Sequence, residues 1–332
     1  MNIKVYAPSN IAFIKYWGKD DVDHQWPSND SISMSLSKCR TCTYSYIKED
    51  INDYIIYFND SLLETNDSKR EKMVKFLDRI KKEFNFSGGL EIHTSNSFYS
   101  DCGIASSASG FCALTISSIL SWTGSNSFKE LDQKGFDILK LSDISRLGSG
   151  SSCRSFMSNF VWWKKNDSYL SQSIESVPSN GWKLLDTIVV TNKNRKKVPS
   201  SLGHALAKKS PYFEKRLIEV KDRIATVVKA IENKDIDLLG NCIEEEAYSL
   251  HKIIESTMES YLSEDTKKFL DWIRDQREKN GIPMYFTLDA GSSVHIISEY
   301  SRRNEVIELI RKNYDYEIIE DCIGEGPYIA KE

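Results

Sequence analysis

The sequence predicts an α+β protein of two domains, and three observations carry that expectation. At 332 residues the chain is too long for one small core and suits about two domains. Strand-like alternation and helix-like periodicity both occur, but in mixed order rather than the strict alternation of a doubly wound sheet. From about Ser200 onward the pattern turns mainly helical, so a boundary is expected within 182–200, dividing the chain into residues 1–190 and 191–332.

Ile3, Val5 and Ala7 alternate into Pro8, as in a first strand interrupted by a turn. If 10–19 stays extended, Lys15, Trp17 and Lys19 share one face, where two ammonium groups repel unless an anion lies between them or both are solvated. Residues 26–33 read as a turn followed by a strand; 34–47 and 54–58, rich in Tyr, Thr and Ile, continue as meander strands. Met73, Phe76, Leu77, Ile80 and Phe84 recur at helical spacing within 69–84. Leu90, Ile92 and Thr94 alternate as a strand, and 104–120 is apolar enough for a buried helix. A single helix is expected over 132–146, ending in a small-residue turn over 147–154, with strands at 160–163 and 183–191. Helices follow at 211–231, 236–258 and 265–279, strands at 284–288 and 294–298, then a helix at 304–313 and a strand at 317–319.

Composition narrows the partner. Forty-four Lys and Arg balance 48 Asp and Glu, so neither a nucleic-acid surface nor an acidic tail is advertised. The basic run 193–197 lacks aromatic interleaving and reads as a solvated loop. A small molecule is the expected partner. Seven scattered cysteines make no disulfide framework, and Cys39-x-x-Cys42 has no second pair of ligands for a closed zinc site. The five histidines show no His-x-x-x-His spacing and read as surface or packing residues. A start without an apolar signal core, and no apolar run of about eighteen residues, suggest a reducing cytoplasm and exclude a membrane-spanning helix.

Between the strand at 90–94 and the helix at 104–120 lies Ser95-Asn-Ser-Phe-Tyr-Ser-Asp-Cys-Gly-Ile-Ala-Ser-Ser-Ala-Ser-Gly110. Unpaired N–H groups and the positive dipole end at such a helix start favour an anion, and small side chains let a phosphate approach the backbone. It is neither a Walker loop nor a dinucleotide fingerprint, and ordinary serine capping is the competing reading.

Five segments in order, Ala7-Pro-Ser-Asn-Ile-Ala-Phe-Ile-Lys-Tyr-Trp-Gly-Lys19, Pro27-Ser-Asn-Asp-Ser-Ile-Ser33, Gly103-Ile-Ala-Ser-Ser-Ala108, Gly148-Ser-Gly-Ser-Ser-Cys-Arg-Ser155 and Phe286-Thr-Leu-Asp-Ala-Gly291, together resemble the mevalonate diphosphate decarboxylases of the GHMP small-molecule kinase superfamily. Gly324-Glu-Gly-Pro327 fits the family's ending, so the resemblance runs from about residue 3 to 330. It implies an amino-terminal domain like ribosomal protein S5 domain 2, a ferredoxin-like carboxy-terminal domain and an active site in the cleft between them. It further implies decarboxylation of mevalonate 5-diphosphate with ATP and Mg2+, and a homodimer. By the same resemblance Asp289 is the catalytic carboxylate, Lys15 the cation beside it and Arg154 the fork for the substrate carboxylate. Asn10, Tyr16, Lys19, Ser149 and Ser151 would meet the substrate, and Ser100, Gly103, Ser106, Ser107 and Ala108 the nucleotide.

The chain departs from the family pattern at Tyr99-Ser-Asp-Cys-Gly103, where Asp101 adds a negative charge, at Ser201, where bacterial members often carry an arginine, and at Ser292-Ser293 after Ala290-Gly291. Two alternatives therefore stay open: action on mevalonate 5-phosphate, or phosphorylation of the 3-hydroxyl without decarboxylation. A catalytically silent binding protein on the same fold is a third.

Overall fold

A computed structural model describes residues 3–98, 104–165, 174–191, 200–291 and 293–331. Its first half contains β1 (Ile3–Ile14), β2 (Lys19–Asp21), β3 (Trp26–Pro27), β4 (Ser31–Lys48), β5 (Tyr54–Phe58), β6 (Ser61–Leu62), α1 (Ser68–Glu83), β7 (Gly89–Asn96), α2 (Ser106–Thr123), α3 (Phe128–Gln133), α4 (Ile138–Arg146), a 3-10 helix (Gly150–Phe156), β8 (Phe160–Trp163) and β9 (Ile174–Val177). The second half contains β10 (Leu184–Val190), α5 (Ser200–Leu206), α6 (Phe213–Asn233), α7 (Ile236–Thr257), α8 (Glu264–Asn280), β11 (Met284–Thr287), β12 (Ser293–Glu299), α9 (Arg303–Asn313), β13 (Glu317–Cys322) and β14 (Tyr328–Lys331).

These strands build an eight-stranded sheet in the order β14-β1-β4-β7-β5-β6, with β8 on β4 and β9 on β8, and a four-stranded sheet in the order β11-β12-β10-β13. The α+β class expected from the sequence is the one observed. Three local expectations differ. Pro8 does not end the first strand: β14 covers β1 only from Ile3 to Tyr6, and the register to β4 shifts between Pro8 and Asn10, so the missing N–H falls at a bulge. Residues 34–58 are not a meander, because β7 inserts between β4 and β5 and runs parallel to β5. Parallel neighbours need a crossover, and α1 supplies it while burying Phe76, Leu77 and Ile80. The helix expected over 132–146 is two, α3 and α4, broken where Gly135 takes φ +79° and the Asp137 side chain accepts from Lys140 N–H to start α4.

The second helix, α2, is apolar on nearly every side and lies in the core against β1 and β4. Its hydroxyls bond within the helix, as where Thr115 Oγ1 donates to the Phe111 carbonyl at 2.6 Å, or to β4, as where Ser121 Oγ donates to the Ser45 carbonyl at 2.8 Å.

The strand at 184–190 does not join the first sheet. β10 is buried along its whole length and pairs antiparallel with β12 and β13. A single core joins the halves: Ile11, Phe13 and Ile14 of β1 and Ile32 and Met34 of β4 pack with Val220, Ile224 and Val227 of α6, Leu239 and Ile243 of α7, Ile188 of β10 and Ile297 of β12. The buried Asp321 carboxylate adds a polar joint, accepting the N–H groups of Ser37, Lys38 and Cys39 at 2.9, 2.8 and 2.7 Å. Among the described residues no helix is long and apolar enough to cross a membrane.

Candidate active site

Lys15 leaves the end of β1, and Asp289 lies two residues past β11, so the two sheets deliver these side chains to one point. Lys15 Nζ lies 2.7 Å from Asp289 Oδ1, the lysine side chain being 2% exposed and the aspartate 23%. Burial pulls the Lys15 ammonium below its ordinary value, against the opposing pull of Asp289 and Glu246. Burial alone would push Asp289 up, yet the charge and hydrogen bond of Lys15, helped by His295 and Arg154, hold it below the usual carboxylate value. The pair thus presents an ionised carboxylate, still reachable from solvent, backed by a buried cation.

Arg154 comes from the 3-10 helix and is buried. Its guanidinium is aimed by hydroxyls and an amide: Nε donates to Ser33 Oγ at 3.1 Å, Nη1 to Ser31 Oγ at 2.8 Å and Nη2 to Asn10 Oδ1 at 3.4 Å. Asn10 is fixed in turn by donating to Ser155 Oγ at 2.9 Å and to the Ser151 carbonyl at 3.5 Å. No carboxylate accepts from Arg154 among the described residues, so its charge is positioned by neutral partners and balanced at a distance, Asp289 included.

Tyr16 is buried between aromatic neighbours, its ring 4.9 Å from Trp163 and 4.5 Å from His204. Gly150 makes room for it, since a Cβ there would lie 2.5 Å from Tyr16 Cε1 and 2.6 Å from its hydroxyl. His204 also packs, tilted, with its ring 4.5 Å from that of Trp17 and accepts the Gly18 N–H on Nδ1 at 3.2 Å. Burial and the charge of Lys19 push the His204 imidazole down to about 3, so it is neutral and able to accept. Gly203 lets α5 close onto these rings, where a Cβ would lie 2.4 Å from Trp17 Cζ2. Lys19, half-buried on β2, has its ammonium pulled down by burial, while the adjacent Asp20 is held by Lys208 at 3.0 Å and Ser28 at 2.8 Å.

The first turn of α2 has no side-chain cap: Ala105 precedes it, Ser106 is half-buried, Ser107 exposed and Ala108 buried. Ser149 Oγ donates to Ser107 Oγ at 3.2 Å, which ties the turn before the 3-10 helix to this helix start. Ser100 and Gly103, with Asp101, lie outside the described residues.

The structure therefore gathers Lys15 with Asp289, Arg154 with Asn10 and Ser151, and Ser149 with Ser107, while Tyr16 and Lys19 line the segment beneath α5. Sequence reasoning missed Asn29, Arg216 and Glu246, which hold the Lys15 main chain. On α6 and α7 the two charged residues read as ordinary helix charges; only Asn29 lies in a quoted motif. It also missed His251, a buried residue of α7 that lies against the main chain of Asp289.

Comparison with known proteins gives two adjoining matches. A diphosphomevalonate decarboxylase-like N-terminal domain matches residues 7–175, and a mevalonate 5-diphosphate decarboxylase C-terminal domain matches residues 187–328. The diphosphomevalonate decarboxylase of Debaryomyces hansenii is 30% identical over 93% of this chain and 82% of its own length. The crystal structure of mevalonate diphosphate decarboxylase from Staphylococcus aureus superposes with a TM-score of 0.90 at 30% identity, covering 99% of this chain and 98% of that one. The complex of MDDEF with MVAPP, AMPPCP and magnesium superposes with a TM-score of 0.90 at 27% identity, covering 100% of this chain and 99% of that one. With both halves matched in order, and with a charged pair that needs both halves to form, the chain belongs to the diphosphomevalonate decarboxylase family.

Proposed function

We propose that this enzyme phosphorylates the 3-hydroxyl of mevalonate 5-diphosphate with MgATP and decarboxylates the product to isopentenyl diphosphate, with ADP, phosphate and carbon dioxide released. The observation that carries this reading is the Lys15–Asp289 pair, an ionised carboxylate beside a buried cation. A tertiary hydroxyl is a weak nucleophile, so it needs a carboxylate within hydrogen-bond reach to orient it and take its proton. Asp289 accepts that proton while the hydroxyl oxygen bonds to the γ-phosphorus and ADP leaves. In this reading the Lys15 ammonium, buried beside that carboxylate, offsets the negative charge of the transferring phosphoryl.

In the second step the C–O bond to phosphate breaks, the C–C bond to the carboxylate supplies the electrons of the new double bond, and carbon dioxide leaves. Arg154, with its fork already aimed by Ser31, Ser33 and Asn10, orients that carboxylate. Tyr16, Lys19, Ser149 and Ser151 take the 5-diphosphate end. The start of α2, which no side chain caps, is assigned with Ser106, Ser107 and Ala108 to the nucleotide phosphates, since the positive end of the helix dipole favours an anion. Magnesium belongs to this reading as the nucleotide's counter-ion; the related MDDEF complex contains magnesium with AMPPCP. A homodimer and a cytoplasmic location accompany the proposal on family resemblance.

Incubation with MgATP and either mevalonate 5-diphosphate or mevalonate 5-phosphate tests it. Carbon dioxide and ADP in equal amounts from the diphosphate are expected. A phosphorylated product without carbon dioxide would make the protein a 3-hydroxyl kinase, and no turnover of either substrate would make it a binding protein.

A further inference from the structure

Lys15 lies just beyond the last pairing of β1 with β4, Ile14 with Ile32, so the sheet no longer fixes its backbone there. Side chains take over that task, two from the other half and one, Asn29, from the turn before β4. The Lys15 N–H donates to Glu246 Oε1 at 3.0 Å, and its carbonyl accepts from Arg216 Nη2 at 2.8 Å and from Asn29 Nδ2 at 2.9 Å. These groups also bind one another: Arg216 pairs with Glu246 Oε1, and its Nη1 donates to Asn29 Oδ1 at 3.2 Å. A second arginine, Arg223, holds Glu246 Oε2 at 2.8 Å and bonds Glu219 at 3.0 Å. Arg216 is 1% exposed and Glu246 fully buried, so the network sits in a medium where loose geometry is costly.

We propose that Arg216, together with Glu246 and Asn29, is a positioning residue for Lys15, fixing the backbone on both sides of its Cα so that the ammonium meets Asp289. This rests on the reading of Lys15 and Asp289 as the reactive pair. A guanidinium is required because one planar fork reaches a carbonyl, a carboxylate and an amide oxygen together, which an ammonium on a flexible stem does not. The alternative role is adhesive: a buried ion pair that joins α6 to α7 and has no influence on the chemistry.

Arg216→Lys separates the two roles, because it keeps the charge opposite Glu246 and loses the fork. Asn29→Ala is the second variant; it removes one arm and leaves no buried charge unpaired, so it stays informative if Arg216→Lys fails to fold. Far-UV circular dichroism checks the fold of both. Expected is a fall in kcat of about ten- to a hundredfold, with KM for both substrates within about threefold, since a small misplacement of a reactive group has effects on that scale. In a Lys15→Met background the same substitutions should leave the residual rate unchanged, as the partner they act through is gone.

A reading without substrate comes from reductive methylation followed by peptide mass spectrometry. Lys15 should stay unlabelled in the wild type and become labelled in both variants. Unchanged kcat, an equal loss in the Lys15→Met background, or a Lys15 that stays unlabelled in both variants overturns the proposal. If the wild type proves inactive on either mevalonate phosphate, the labelling alone decides the positioning role, and only the proposed reaction falls.

Discussion

Asp289 is open to solvent on one side while Lys15 behind it is not, so of the two it is Asp289 that a group arriving from solvent can touch. Asp289→Asn keeps the shape and removes the basicity, so turnover should fall by about two to four orders of magnitude with substrate binding retained, as single-turnover kinetics and calorimetry would show. His204 gives a second residue-scale expectation. Its folded value of about 3 lies below the ordinary imidazole value of 6.5, so the unfolded chain binds a proton that the folded one rejects between those values. Stability from this group is present above about pH 6.5 and is lost as pH falls toward 3. In His204→Phe the urea midpoint should be lower at pH 7, through loss of the Gly18 acceptor, but fall less between pH 7 and pH 4 than in the wild type. An equal fall in both proteins would show that other groups control the acid limb. At this scale the sequence was readable where chemistry is local: Asp289, Lys15 and Arg154 stand in recognisable motifs. Glu246 was not, because its partners, Lys15 and Arg216, lie 231 and 30 residues away and nothing near it distinguishes it from a helix-surface charge.

The elements around the site are held apart by glycines at close approaches. Gly150→Ala would drive a methyl into the Tyr16 ring, which Trp163 and His204 prevent from turning aside. The cost should be about 1–3 kcal/mol, typical of overpacking, read from urea denaturation, and KM for the mevalonate substrate should rise more than kcat falls. On α5, Ser201 is exposed one helical turn from His204 and the rings it packs against. Ser201→Arg should tighten binding of the diphosphate by about one to two decades, the worth of a charged hydrogen bond, with less effect on the monophosphate; titration with both ligands measures this. Periodicity located α1, α6, α7, α8 and α9 to within a few residues, since each carries an apolar face over several turns, and a continuous apolar run located α2. It failed at α3 and α4, where one glycine breaks a pattern that composition alone continues, and at β5, whose neighbour is chosen by a crossover helix and not by sequence order.

For the molecule as a whole, the shared core between β1, β4, α6 and α7 predicts that the two halves unfold together. Tryptophan fluorescence and far-UV circular dichroism should give one coincident urea transition, and two separated ones would show independent halves. Asp321→Ala should lower the unfolding free energy read from that transition by on the order of 3 kcal/mol, because three N–H groups of the β4 segment lose a charged acceptor supplied by β13. Fold class was legible from the mixture of periods, but not which strands meet: β10, next to the first half in sequence, pairs wholly in the second sheet, while β14, far from it, pairs in the first.

That last pairing sets an order of events during synthesis. β1 emerges from the ribosome before the other described strands and β14 after them, yet Ile3 to Tyr6 find their outer partners only in Tyr328 to Lys331. Throughout translation the nascent chain therefore carries an unsealed β1 edge, open to pairing with a neighbouring nascent chain, and the first sheet becomes complete only when β14 has been made.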